Sequence, residues 1–444
     1  MLNIFESVLK PMTLIIYLIP PLTYILLEVI FRYLTYKYGN RISEFPISSA
    51  DDLHKFVNYD PYLGWEPSPK AMVASSISSA IGATNSKITN GKVKYIINDD
   101  GSRWQPPPKT SLRGPIIEFF GDSTVFCSGN NHDETFHYYL ETLHSIGPCK
   151  NFGVGNYGLD QAYLRAKKRM KGHGIAVLYL PVIYLYRLGI VYKHYNELGN
   201  SWAVKPRFLL DSGERDLEFV PRPFKKRKEL LNLPSYAKFF RKHDNFYPRF
   251  KKMAPERKKS YLIHYLVDKC ALNELTSSIY YQTNNKLIKS VASISGKIFR
   301  KILKKHSYNP HNQEGQREFL DKVKGEEGKI FALLASKFND LANERDSKAI
   351  IILSSQGWTI NNKDIYEKAV GALSNLAKLQ GFEIYDFGRE LFALDSQTLN
   401  KYLDHPSNIG SVPAHFSPAG NKFLASWLAD LINEKVNHQR LDKP

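Results

Sequence analysis

The chain reads as an α/β protein: a parallel sheet with helices on both faces. Apolar runs at 116–120, 176–181 (AVLYLP) and 349–354 (AIIILS) have the length and composition of strands buried on both sides. Helical patterns at about 133–145, 159–172, 363–380 and 417–435 lie between or after them. Strands that alternate with helices predict a parallel arrangement, because each helical crossover carries the chain back to the end of the sheet where the previous strand began. KNFGV at 150–154 and FEIYDF at 382–387 are shorter strand candidates.

The chain has 444 residues, of which 43% are hydrophobic and 13% aromatic, so there is ample material for a packed core. Cys127, Cys149 and Cys270 are too few and too scattered for a disulfide framework or a zinc site. The formal charge of +18 fits an anionic neighbour: a lipid head group, an acidic glycan or nucleic acid. Nucleic acid is disfavoured, because no recognised binding motif accompanies the charge.

The first 36 residues stand apart. MTLIIYLIPPLTYILLEVIF, 12–31, carries one acid, Glu28, near its end. A helix of that length spans roughly 30 Å, the thickness of a bilayer core. It is too long for a signal-peptide apolar region and no small-residue cleavage site follows it, so a retained membrane segment is expected. A buried core helix is the alternative. Pro20 and Pro21 lie mid-span and kink a helix, which leaves a re-entrant hairpin open. Lys10 precedes the span, and Arg32, Lys37 and Arg41 follow it. The positive-inside rule applied to these few charges keeps the large domain in the cytoplasm.

A loop-rich lead-in, 37–112, comes next. Within it, Asn98 to Gly101 is a turn signal, and Pro106 to Pro108 punctuate the approach to the first long strand. The main α/β domain then covers 113–436, interrupted at about 184–315 by an insertion of mixed helical and loop character. The insertion holds the basic clusters RPFKKRK (222–228), RFKKMAPERKK (249–259) and RKILKKH (300–306). These read as solvated charged faces, or as contacts to a membrane surface or an anionic glycan.

The chemistry centres on IIEFFGDSTVFCSGNNHDETF, 116–136. Ser123 falls just after the first core strand. In an open parallel sheet, ligands bind outside the carboxyl ends of the strands. A serine hydroxyl is a weak nucleophile and needs a base and oxyanion donors. His415 lies in a loop just before the last helical pattern. Ser417 suits the N-cap there and Pro418 the first helical position. Leu424, Trp427, Leu428 and Leu431 form an apolar stripe at helical spacing, which reads as core. Gly-Asp-Ser alone is a common turn, and His415 alone reads as a surface or capping histidine; the two together are more specific.

GDSTVFCSGNNHDETF, NFGVGNYGLDQ and HFSPAGNKFLA together resemble the SGNH/GDSL hydrolase family, in its longer, often membrane-associated bacterial form. DPYLGWEP and NDDGSRW resemble the usual lead-in. The resemblance covers roughly 60–190 and 345–435. It implies a three-layer α/β/α, flavodoxin-like fold with a five-stranded parallel sheet. It also implies a serine esterase, with Ser123 as nucleophile, His415 as base and the Ser123 N–H as one oxyanion donor.

The remaining family positions are altered. Asn156, with Gly155 just before it, stands where the family has a glycine donor; the backbone N–H survives, and asparagine tolerates positive φ. No asparagine follows the third strand, and Tyr184 is the nearest polar candidate. Val412 occupies the usual place of the acid that orients the histidine, and Asp404 is a substitute. The resemblance implies an acylated carbohydrate or lipid of the cell envelope as substrate, with the soluble domain on the extracytoplasmic side. The alternative is a non-catalytic module of the same fold, gripping a membrane or anionic glycan. No phosphate-binding glycine loop, dinucleotide fingerprint or metal-ligand cluster is visible in the sequence, so no cofactor or metal is expected.

Overall fold

The structure is a computed structural model. It describes residues 20–37, 43–46, 59–67, 72–74, 94–108, 112, 114–198, 200–253, 275, 279, 313–403 and 415–441. The chain divides into two compact units. One comprises 1–49, 194–201 and 246–309; the other comprises 50–193, 202–245 and 310–444. The stretch expected as one insertion at about 184–315 is therefore shared between the two. Residues 202–245 belong with the sheet.

The second unit holds an α/β core. Its elements are β1 (Ile116–Gly121), α1 (Ser123–Phe126), α2 (Phe136–His144), β2 (Cys149–Asn151), α3 (Leu159–Arg169), β3 (Gly174–Pro181), α4 (Glu326–Glu344), β4 (Lys348–Ser354), α5 (Lys363–Leu379), β5 (Ile384–Asp386), α6 (Phe387–Phe392) and α7 (Pro418–Leu441). The five strands form one parallel sheet in the order β5-β4-β3-β1-β2. Ile117 pairs with Cys149 on one side and Ile175 on the other, and Ile350 pairs with Val177. The winding direction reverses between β1 and β3. That reversal opens a crevice at the carboxyl ends of the strands.

Alternation along the strands feeds two helical layers. Ile117, Phe119, Ile175, Val177, Tyr179, Ile350 and Ile352 pack with Phe136 and Leu140 of α2, Phe387 and Leu391 of α6, and Leu424 and Leu428 of α7. On the opposite face, Phe120 stacks on Phe152 at 5.2 Å and meets Phe338 of α4 edge-on at 6.0 Å. Glu118 is the polar residue in this apolar strand. Its carboxylate accepts the backbone N–H groups of Lys171 and Gly172 at 2.9 to 3.1 Å, which meets the cost of burying it. The α7 start agrees with the expected cap: Ser417 Oγ accepts Gly420 N–H at 3.2 Å, and Pro418 opens the helix.

Part of the lead-in is built into this unit. Tyr59–Asp60 pairs antiparallel with Gly64–Trp65, and Asp60 Oδ1 accepts the N–H groups of Tyr62 and Leu63 at 2.8 and 2.6 Å. Buried Glu66 then meets three cations of α3: Arg165 at 2.5 Å, Arg169 at 2.9 Å, and Lys168. Tyr157 Oη donates to the Trp65 carbonyl at 2.5 Å, and Gln161 Nε2 to that of Leu63 at 2.8 Å. The DPYLGWEP stretch is thus fastened along α3 by an ionic network centred on Glu66.

In the first unit, a helix covers 20–37. Leu22, Ile25, Leu26, Val29 and Tyr33 on it are exposed. Arg32 pairs with Glu28 one turn back at 2.7 Å. Among the described residues no helix is long and apolar enough to cross a membrane. Of the segment expected to do so, 12–19 lies outside the described residues, and 20–31 forms the front of this helix. Pro20 and Pro21 are the first described residues of this helix.

Candidate active site

β1 ends on Gly121 because the chain must turn there in very little space. A Cβ at Gly121 would sit 2.5 Å from both the Tyr179 carbonyl oxygen and Val125 Cγ2. Asp122 caps the short α1: its Oδ1 accepts Thr124 N–H at 2.8 Å. Its Oδ2 lies 3.2 Å from Arg187 Nη1, and both side chains are buried. Burial pushes the Asp122 carboxyl above its ordinary value, and Arg187 pulls the other way. The acid of Gly-Asp-Ser is therefore structural. Ser123, half-buried, takes the first position of α1 at the carboxyl end of β1, beside the crevice.

The loop after β2 closes against this helix. A Cβ at Gly153 would lie 2.4 Å from Phe126 N, so only glycine fits that approach. Val154 N–H donates to the Gly121 carbonyl at 3.1 Å, which brings Gly155 and Asn156 beside the end of β1. Asn156 takes φ of 66°, in the left-handed region that asparagine tolerates. The Gly155 carbonyl accepts Trp65 Nε1 at 3.1 Å. Among the described residues, the N–H groups of Ser123, Gly155 and Asn156 meet no acceptor.

Tyr184 lies in a 3₁₀ helix, Val182–Gly189, that follows β3 directly. The Arg187 guanidinium sits over its ring at 3.6 Å, and Arg187 also donates to the Tyr157 carbonyl at 2.9 Å. Asp122, Arg187 and Tyr184 thus form one stack beside Ser123.

His415 is half-buried, just before α7. Its neighbour Phe416 is in the core, and the Phe416 carbonyl accepts Asn130 Nδ2 at 3.1 Å. Asn421 Nδ2 donates to the Glu134 carbonyl at 2.9 Å. The loop carrying His415 is therefore fastened to the turn that follows Ser123, despite nearly three hundred intervening positions. Among the described residues no hydrogen bond joins Ser123 to His415 directly. Asp404 and Val412, the positions considered for an orienting acid, lie outside the described residues.

Several residues here carried no signal in the sequence. Thr124 Oγ1 donates to Gln356 Oε1 at 2.9 Å, which ties the end of β4 to α1; Gln356 is fully buried. Arg103, in the NDDGSRW stretch, reaches the turn behind Ser123. Cys127 lies close by, but burial pushes its thiol up to about 11, so it is no competing nucleophile at neutral pH.

No family model matches the chain, and no curated protein matches it.

Proposed function

We propose that this chain is a serine esterase of the SGNH type, acting on an acyl group, with acetyl favoured, carried by a cell-envelope carbohydrate or lipid. The observation that supports it best is the setting of Ser123. It opens a short helix at the carboxyl end of β1, beside the point where the sheet reverses its winding, and the His415 loop is fastened to the turn behind it. The five parallel strands with helices on both faces accord with a three-layer α/β/α, flavodoxin-like fold of this kind.

In this reading Ser123 Oγ attacks the ester carbonyl while His415 takes its proton. The tetrahedral oxyanion accepts hydrogen bonds from the N–H groups of Ser123 and Asn156, with Gly155 shaping that loop. The Tyr184 hydroxyl is the third donor. His415 returns the proton to the leaving alcohol, leaving Ser123 acylated. Water, or a sugar hydroxyl in a transferase, then attacks the acyl-enzyme with His415 again as base. Ser123 and His415 must close to hydrogen-bond distance when substrate binds, as catalytic pairs that are loose without substrate commonly do. The exposed apolar residues of the helix at 20–37 support attachment to a membrane; the extracytoplasmic side for the catalytic unit comes from the family resemblance alone, against the positive-inside reading of the flanking charges.

The test is turnover of acetylated sugars and short aryl esters. Ser123→Ala should lower the rate at least about a thousandfold, and His415→Ala similarly. The double variant should be little worse than either, because such residues act as a unit. Tyr184→Phe should cost roughly 100-fold if the hydroxyl donates to the oxyanion, and almost nothing if the ring only carries Arg187. Wild-type turnover undiminished in Ser123→Ala would remove the mechanism.

A second reading, a module of the same fold that binds without turnover, draws on the Arg187–Tyr184 stack and on the missing asparagine after β3. A wild type inactive on every ester would favour it.

A further inference from the structure

Arg103 is buried, yet among the described residues no carboxylate pairs with it. Among the described residues its guanidinium hydrogen-bonds to backbone carbonyls, and its Nε finds no acceptor. Nη1 donates to Phe126 O at 2.5 Å and Cys127 O at 2.8 Å, and Nη2 donates to Asn130 O at 2.6 Å. Its own N–H donates to the Asn151 carbonyl at 2.8 Å. The guanidinium also lies 4.9 Å from the Tyr95 ring and 5.1 Å from the Phe126 ring. Every acceptor of the guanidinium is on the turn that leaves α1, the helix opened by Ser123. That turn is irregular: Cys127 and Gly129 have φ of 56° and 89°. Cys127 O accepts Asn130 N–H within the turn at 3.2 Å, while for Phe126 O and Asn130 O the donor found among the described residues is Arg103.

The turn has a second attachment. Asn130, whose carbonyl Arg103 holds, donates its own Nδ2 to Phe416 O at 3.1 Å, next to His415. A continuous chain of contacts therefore runs from α1 through Arg103 and Asn130 to the loop of His415. A planar fork with donors on two nitrogens suits three carbonyls spread over five residues, and an ammonium group does not. For stability alone, apolar side chains commonly serve a buried position at least as well as a charge.

We propose that Arg103 is a positioning residue, which with Asn130 sets the distance and angle between Ser123 and His415. This rests on the esterase reading for its kinetic consequence but not for its structural one. A misplacement of about 1 Å at reacting atoms can cost about 100-fold in rate.

The test uses the full-length protein with Arg103→Lys and Asn130→Ala, read by ester turnover and by hydrogen exchange at 124–131 and 415–421. Arg103→Lys should lower kcat about 10- to 100-fold with KM within about twofold, and should speed exchange in both segments together. Asn130→Ala should speed exchange at 415–421 and lower kcat about tenfold. It also carries the test if Arg103→Lys fails to fold. A residue that merely fills the core would lower the melting temperature while leaving kcat per folded molecule and exchange at 415–421 unchanged; that result overturns the proposal. If the wild type turns over no ester, the esterase reading fails, and exchange at 415–421 still decides the role of Arg103: unchanged protection there in Arg103→Lys, or in Asn130→Ala where that variant stands in, overturns it.

Discussion

His137 shows how one buried side chain makes the fold sensitive to acid. Its Nδ1 accepts Asn151 Nδ2 at 3.2 Å, and its Nε2–H faces Thr135 Oγ1 at 3.3 Å, so both ring nitrogens are used by the neutral form. Burial holds its pKa well below the ordinary value, with Arg103 and His132 adding repulsion. A depressed folded pKa means that the unfolded chain binds the proton first. The stability it contributes is complete above the unfolded value near 6.5 and is lost as pH falls toward the folded one, by up to about 1.4 kcal/mol per pH unit. Urea unfolding at pH 7.5 and 5.5 should show the wild type weakening at the lower pH, with the slope reduced in His137→Gln. An equal slope in that variant would exclude His137 as the cause. At this level the sequence was readable only where local geometry decides the residue. Asn156 is such a case, because positive φ admits few side chains. Arg103 is the opposite case: its meaning depends on three carbonyls more than twenty positions away, and nothing local announces them.

The anchoring of α3 depends on a pair that no periodicity reveals. Asp160, in its first turn, pairs with Lys205, and both are fully buried. Asp160→Asn leaves the ammonium without its partner and should cost about 3–5 kcal/mol, read as a lower urea midpoint at unchanged slope. A loss below about 1 kcal/mol would mean that Lys205 finds water or another acceptor. The long elements themselves were legible. β1, apart from Glu118, and the middle of β3 and of β4 are apolar because both faces are covered, and in the expected α7 stripe Leu424, Leu428 and Leu431 are buried while Trp427 packs partly buried against the same core. The short strands were legible in place but not in length, since three-residue edges such as Cys149–Asn151 carry little pattern. The stretch around 60–66 read as loop because its order comes from ion pairs to α3 rather than from periodicity.

The chain as a whole pairs a net charge of +18 with exposed apolar residues on the helix at 20–37. Removing 1–36 should release the protein to the soluble fraction, or leave only attachment that salt disrupts, because screened charges cannot hold a membrane at high ionic strength. Binding that persists in high salt would place the anchor elsewhere. The α/β class and parallel sheet were legible from the alternation of strand and helix patterns. The division into two units was not, because the segment at about 184–315 alternates between them without a change in composition. Treating the full-length protein with a fluorophosphonate probe and mapping the adduct shows whether Ser123 is an activated nucleophile. A single covalent adduct on Ser123 is expected, absent in Ser123→Ala and strongly slowed in His415→Ala. No adduct, or one on another residue that persists in Ser123→Ala, would contradict it.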